Sequence, residues 1–189
     1  FCAFYDEQYR TEILKNTEIE KDMNAAIAGK QFQMYLQPKY NLVTGKICGA
    51  EVLSRWKHPV KGLIQPNDFI PLFERNGFIL RLDEYMWEEA CKTLARWRDE
   101  GRTPVPLSVN ISRYHIQHND LVGAWKHLIK KYNIPTSYLT LEITETFFYD
   151  SKDLYDVLEQ LQAMGFRLEV DDFGAGYSSL NMIRQIPVD

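Results

Sequence analysis

The sequence is poor in cysteine and has no excess of basic residues, and each shortage excludes a class of protein. Its three cysteines, Cys2, Cys48 and Cys91, are odd in number, far apart and without a CxxC spacing. This argues against a disulfide framework and a zinc cluster, and favours a reducing compartment such as the cytoplasm, with the cysteines as core residues. With 22 lysines and arginines against 26 aspartates and glutamates, the formal net charge is -4. We therefore expect no duplex nucleic acid as a partner.

Long apolar runs, repeats and low-complexity tracts are also lacking. The apolar stretches are interrupted every few residues, so we expect neither a membrane span nor a signal peptide, and any anchor of a parent protein would lie outside this chain. The sequence shows no internal repeat and no biased tract. Its 189 residues, 45% of them hydrophobic, are enough for a sizeable core and indicate one domain plus an appendage.

Two regions differ in pattern. Residues 1–30 predict a leading amphipathic helix or linker, because apolar residues from Ile13 to Ile27 recur at roughly helical spacing without Gly or Pro until Gly29. Residues 31–189 alternate strand and helix patterns, which predicts an α/β fold. We expect strands at about 31–37, 46–53, 105–111, 138–144 and 166–170, and helices at about 67–73, 83–99, 120–132, 152–164 and from 178. The first two strands are joined by a turn too short for a crossover and should pair antiparallel.

Oxygen-bearing side chains stand at or near the ends of four expected strands. They are Glu51, Asn110, Glu142 and the pair Asp171-Asp172. The C-terminal strand ends of parallel α/β barrels build active sites, and acids that meet there repel one another unless a cation joins them. An all-oxygen set without His or Cys favours Mg²⁺ or Mn²⁺ over zinc, and adjacent carboxylates can serve the paired ions that suit phosphodiester displacement.

A single acid at a strand end is more often a helix cap or a turn residue, and Asp171 before a Gly-rich loop fits that alternative. Four successive strand ends favour a metal site. The histidines His58, His115, His118 and His127 show no ligand spacing, and we expect them to be surface or capping residues without a chemical role.

Seven motifs in order resemble the EAL family of cyclic di-GMP phosphodiesterases. Glu51-Val-Leu resembles the family signature, with Val52 in place of its Ala, a change that we expect to be tolerated. The other motifs are Tyr35-Leu-Gln-Pro38, Phe69-Ile-Pro-Leu72, Ser108-Val-Asn-Ile-Ser112, Leu141-Glu-Ile-Thr-Glu-Thr146, Asp171-Asp-Phe-Gly-Ala-Gly-Tyr-Ser-Ser179 and Ile186-Pro-Val-Asp189. The resemblance covers about residues 32–189. It implies a TIM-barrel-like (β/α) EAL fold with an antiparallel first strand.

The resemblance also implies a first metal ion held by Glu51, Asn110, Glu142 and Asp171. Asp171 or Asp172 would help to bridge to a second ion. The implied cofactor is Mg²⁺ or Mn²⁺.

For the substrate, the resemblance implies that Gln37 and Arg55 contact cyclic di-GMP, Arg55 through a charge-assisted pair with a phosphate. Glu145 would brace the loop at 171–179, which in this family helps to form the second metal site and a homodimer contact. The implied catalytic residues are thus Glu51, Asp171, Asp172 and Glu145.

The implied reaction is hydrolysis of cyclic di-GMP to linear pGpG by two-metal catalysis. The family places its catalytic lysine just beyond the Pro-Val-Asp motif, so we expect an incomplete barrel here and an inactive chain. Two alternatives stay open: a cyclic di-GMP receptor that does not cut, and a dimerisation or interaction domain. The intact set of predicted metal ligands argues against both. The leading segment resembles the linker that follows a GGDEF domain, which predicts such a domain upstream in a parent protein.

Overall fold

A computed structural model describes residues 7–115, 120–144 and 153–171. The helices are α1 (Glu7–Ala28), α2 (Pro66–Asn76), α3 (Ile79–Asp99), α4 (Leu121–Tyr132) and α5 (Asp153–Ala163), with a 3₁₀ turn at Thr136–Tyr138. The strands are β1 (Phe32–Tyr40), β2 (Ile47–His58), β3 (Gly62–Ile64), β4 (Leu107–Ile111), β5 (Leu139–Thr144) and β6 (Arg167–Asp171). All five predicted strands are present, and β3 is an addition. The helix predicted from 178 lies outside the described residues.

The strands form one sheet in the order β1-β2-β4-β5-β6, with β3 on β2. The pairs β2–β4, β4–β5 and β5–β6 are parallel, as helical crossovers require. At one end of the hairpin Asn41 N donates to Lys46 O, and at the other Lys57 N donates to Gln31 O. The first bond joins the end of β1 to the start of β2, and the second joins the start of β1 to the end of β2, so the predicted antiparallel first strand is confirmed. Within the described part of the chain, β1 and β6 are the two ends of the strand order.

One compact unit contains residues up to 33 together with 54–78. Its core is an aromatic cluster of Phe32, Trp56, Phe69, Phe73 and Phe78, joined by ring contacts of 4.7 to 6.1 Å between centroids. Helix α2 begins with a proline at its first turn and ends at Asn76, and the following Gly77, with a φ of 76°, forms a left-handed cap.

His58 in this unit is a partial correction to the sequence analysis. Its side chain is only 9% exposed, so it is not a surface residue. Its Nδ1 accepts hydrogen bonds from the backbone N–H groups of Val60 and Lys61, which is the capping role that was expected. Its Nε2 lies 3.1 Å from Asp22 Oδ2 on helix α1, and this contact explains the burial.

The second unit contains residues 34–53 and those from 79 onward. Helix α3 packs on α4 through Trp87 and Trp125, which are fully buried and stacked at 4.9 Å. Helix α4 is capped by Asp120, whose side chain accepts from Gly123 N at 2.8 Å. Strands β4 and β5 are buried almost throughout, which is typical of parallel strands covered on both faces. No helix in the described ranges has the length and apolar character of a membrane span.

Two expectations about single residues in this unit are wrong. His115 is fully buried and not on the surface, because it packs on the Trp87 ring at 4.4 Å and its Nε2 lies 3.2 Å from Asp83 Oδ2. Cys91 is a buried core residue as expected, but Cys48 is exposed on β2, where its thiol lies 3.5 Å from Lys39 O.

Candidate metal centre

The parallel strands bring the predicted metal ligands to one face of the sheet. Glu51 on β2 pairs in register with Ser108 on β4, and Asn110 on β4 pairs with Glu142 on β5. Asp171 on β6 pairs with Thr144, two residues after Glu142. Side chains alternate between the faces of a strand with a period of two, so all four predicted ligands share one face.

Three carboxylates converge there. One oxygen from each of Glu51, Glu142 and Asp171 lies within 4.8 Å of the others. Asn110 Nδ2 donates to Glu51 Oε1 at 3.4 Å, which adds the predicted amide to the group. The structure thus brings together four of the five predicted ligands, and the fifth, Asp172, lies outside the described residues. We call this group the candidate metal centre.

The electrostatics of the candidate metal centre fit a hard divalent cation. Glu142 is only 5% exposed, and its Oε2 has no hydrogen-bond partner among the described residues. A buried oxygen without a partner costs free energy, and a bound cation would supply that partner. Burial raises the pKa of Glu142, while a hydrogen bond from Lys39 acts against this shift. The donors are all oxygens, the ligands that hard divalent ions prefer.

A lysine that bonds to Glu142 was missed by the sequence analysis. Lys39 Nζ donates to Glu142 Oε1 at 2.5 Å, to Glu169 Oε2 at 2.7 Å and to Ser108 Oγ at 2.8 Å. Burial lowers the pKa of Lys39, but the bonds to the two glutamates outweigh it and the net shift is upward, so the ammonium stays charged. The overlooked signal is the alternation of strand residues. Lys39 is two residues after Gln37, and Glu169 is two before Asp171.

Helix α3 fixes the strand end that carries Asn110. Trp87 Nε1 donates to the backbone oxygen of Asn110 at 3.0 Å, and Ser112 N donates to Asp83 Oδ2 at 3.0 Å. Asp83 and Trp87 are one helical turn apart and face the same side of α3. Burial raises the pKa of Asp83, and its contacts with His115 and Ser112 act against this rise. These bonds hold the backbone of a predicted ligand from behind.

The structure does not test the roles of the remaining predicted site residues. Gln37 is exposed on β1, and Arg55 lies on β2 in the other compact unit, where its Nη1 donates to Ser54 O at 2.9 Å. Glu145 lies outside the described residues. Val52, which stands where the signature has Ala, is 5% exposed. The substrate and catalytic roles of Gln37, Arg55 and Glu145 stay predictions.

Comparison with known proteins gives one consistent family. The EAL domain family matches residues 20–189. The bifunctional diguanylate cyclase/cyclic di-GMP phosphodiesterase MucR of Pseudomonas aeruginosa is 34% identical over 188 residues, which are 99% of this chain and 27% of that protein. The cyclic di-GMP phosphodiesterase NbdA of the same organism is 32% identical over 189 residues, 100% of this chain and 24% of its own length. The chain therefore spans about a quarter of the length of these curated relatives.

The solved structure of the PaMucR phosphodiesterase in complex with c-di-GMP superposes with a TM-score of 0.85. It is 36% identical, and the match covers 91% of this chain and 70% of the other. The strand order, the antiparallel first strand and the acids at the strand ends agree with the TIM-barrel-like fold that the motifs imply. This chain belongs to the EAL domain family.

Proposed function

We propose that this domain hydrolyses one phosphodiester bond of cyclic di-GMP to give linear pGpG, with Mg²⁺ or Mn²⁺ bound at the candidate metal centre. The observation that carries the proposal is the convergence of Glu51, Glu142 and Asp171 within 4.8 Å on one face of the parallel strands β2, β5 and β6. Membership of the EAL family and the printed activities of MucR and NbdA support the choice of reaction and substrate.

Glu51, Asn110, Glu142 and Asp171 are the residues that would hold a first ion, with Asp171 or Asp172 reaching a second. Such ions lower the pKa of bound water and neutralise the charge that builds on a phosphoryl oxygen during in-line displacement. The strands hold the carboxylates in place before any ligand arrives, because each acid belongs to a hydrogen-bonded strand.

Three further side chains would act on the substrate and the loop. Arg55 would bind a phosphate of the cyclic dinucleotide, since a guanidinium matches the geometry of phosphate oxygens. Gln37 would position the ligand from β1, and Glu145 would brace the loop at 171–179. We infer that the same loop forms the homodimer contact. The cysteine usage supports a cytoplasmic location, and the length and name of MucR support an upstream GGDEF domain.

The test is cyclic di-GMP hydrolysis by the full-length protein with Mg²⁺ or Mn²⁺, followed by separation of linear product. We expect product from the native protein and none from Glu51→Ala, because that variant loses a carboxylate of the candidate metal centre. Glu159→Ala is the matched control, since Glu159 is an exposed acid on helix α5.

Other outcomes of this experiment would favour one of the two alternative functions. Binding of cyclic di-GMP without product, with the control behaving like the native protein, would identify a receptor. Neither binding nor product would leave a dimerisation or interaction domain. Full activity in a chelator would contradict the metal role.

A further inference from the structure

The ammonium group of Lys39 is anchored by three strands. A lysine ammonium has three N–H donors, and here three acceptors lie within 2.8 Å: Ser108 Oγ on β4, Glu142 Oε1 on β5 and Glu169 Oε2 on β6. The Lys39 side chain is 34% exposed, and the side chain of Glu142, which makes the shortest of the three contacts, is 6% exposed. With every donor engaged, the ammonium has one position, directly beside a predicted metal ligand.

This contact makes the two oxygens of Glu142 differ. Oε1 accepts from Lys39 at 2.5 Å, whereas the buried Oε2 has no hydrogen-bond partner among the described residues. An ion held by Glu142 through Oε2 alone would leave the bond between Oε1 and Lys39 in place. An ion that needed both oxygens would have to displace the ammonium from Oε1.

The number of oxygens that Glu142 offers affects the choice of ion. Mg²⁺ demands near-octahedral coordination with short bonds, whereas Ca²⁺ takes about six to eight oxygens and often binds a carboxylate through both. A glutamate restricted to one oxygen thus disfavours Ca²⁺ relative to Mg²⁺ or Mn²⁺. We propose that Lys39 is a positioning residue that occupies one oxygen of Glu142, leaves the other for a metal ion and so makes the centre select a six-coordinate ion over Ca²⁺. This inference rests on the metal site of the proposed function.

The measurement is the ratio of the Kd for Ca²⁺ to the Kd for Mn²⁺, obtained by calorimetric titration of the full-length protein without nucleotide. Loss of a positive charge changes the attraction of any divalent ion by a similar factor, so the charge effect cancels in the ratio. A change in coordination number does not cancel. The ratio therefore distinguishes positioning from simple charge.

We expect Lys39→Met to lower this ratio about tenfold, the lower end of the effect of removing an outer partner of a metal ligand. Lys39→Arg, which can still donate to Oε1, should keep the native ratio. Lys131→Met is the matched control, because Lys131 forms a 2.7 Å ion pair with Glu88 and is 47% exposed. Lys39→Gln is measured as a second variant. If one of the two variants fails to fold, the ratio of the two Kd values can still be measured on the other.

An unchanged ratio in a folded Lys39→Met or Lys39→Gln variant overturns the inference, whether both affinities rise or both fall. That result leaves the proposed function intact if the native protein binds Mn²⁺. Absence of Mn²⁺ binding by the native protein instead removes the metal site, and with it both proposals.

Discussion

Replacing Glu51 by glutamine is expected to change stability in opposite directions with and without metal. The variant keeps the side-chain oxygen that accepts from Asn110 Nδ2 and removes one of three converging charges. At 4.8 Å a pair of like charges costs about 0.9 kcal/mol in water and about 3.5 kcal/mol at an effective dielectric constant of 20. Glu51 is half-buried and Asp171 is exposed. The repulsion of Glu51 with Asp171 and with Glu142 should therefore lie toward the lower of these two energies. We therefore expect metal-free Glu51→Gln to unfold with a free energy about 1 to 2 kcal/mol higher than the native protein.

With a bound metal ion, we expect the native protein to be more stable than Glu51→Gln. An ion at about one hundred times its Kd stabilises the native protein by about 2.7 kcal/mol, and the variant lacks a carboxylate needed to hold it. Urea unfolding in a chelator and in Mn²⁺ measures both states, with exposed Glu159→Gln as the control. A metal-free variant less stable than the native protein would refute the reasoning, because it would mean that the Glu51 charge is compensated before any ion binds.

Two further variants test the contacts of helix α3. Trp87→Phe removes the donor to the Asn110 carbonyl, and we expect the free energy of unfolding in urea to fall by about 1 to 3 kcal/mol. A change below about 0.5 kcal/mol would contradict this expectation. Lys131 and Tyr132 lower the pKa of Glu88 from 4.5 to about 2. Because the folded-state pKa is depressed, this stabilisation is present above pH 4.5 and is lost as the pH falls toward 2. Glu88→Gln should therefore lower the free energy of unfolding by about 0.5 to 1 kcal/mol at pH 7. The difference from the native protein should shrink as the pH falls from 4.5 toward 2. A difference that persists at low pH would contradict the stabilising role of the Glu88 charge.

The strand ends that carry the acids could be predicted because their signal is local. Apolar runs followed by Glu142 or Asp171 are visible in a few residues, and the parallel register then follows from the crossovers. Strand β1 was predicted to end at Gln37 but continues to Tyr40, through Pro38. A proline weakens a strand pattern since it cannot donate to the ladder, and the early boundary hid Lys39.

The other misses depend on partners distant in sequence. His115 is buried by Trp87 and Asp83 of helix α3, and nothing near it in the chain predicts this environment. Strand β3, Gly62–Ile64, has three residues, too few to show alternation. Its pairing with the end of β2 is what makes it a strand. The convergence of Glu51, Glu142 and Asp171 was thus readable from the sequence, whereas the residues that support them were not.

The bonds of Lys39 also bear on the order in which the molecule folds. They join residues 69, 103 and 130 positions apart in the chain. Contacts of such long range have a large loop-closure cost and form after local structure. We therefore expect the acid cluster to assemble late, on the native side of the folding barrier. Interactions formed there act mainly on the rate of unfolding. An ion held by these acids would accordingly lengthen the lifetime of the folded domain while leaving its folding rate nearly unchanged.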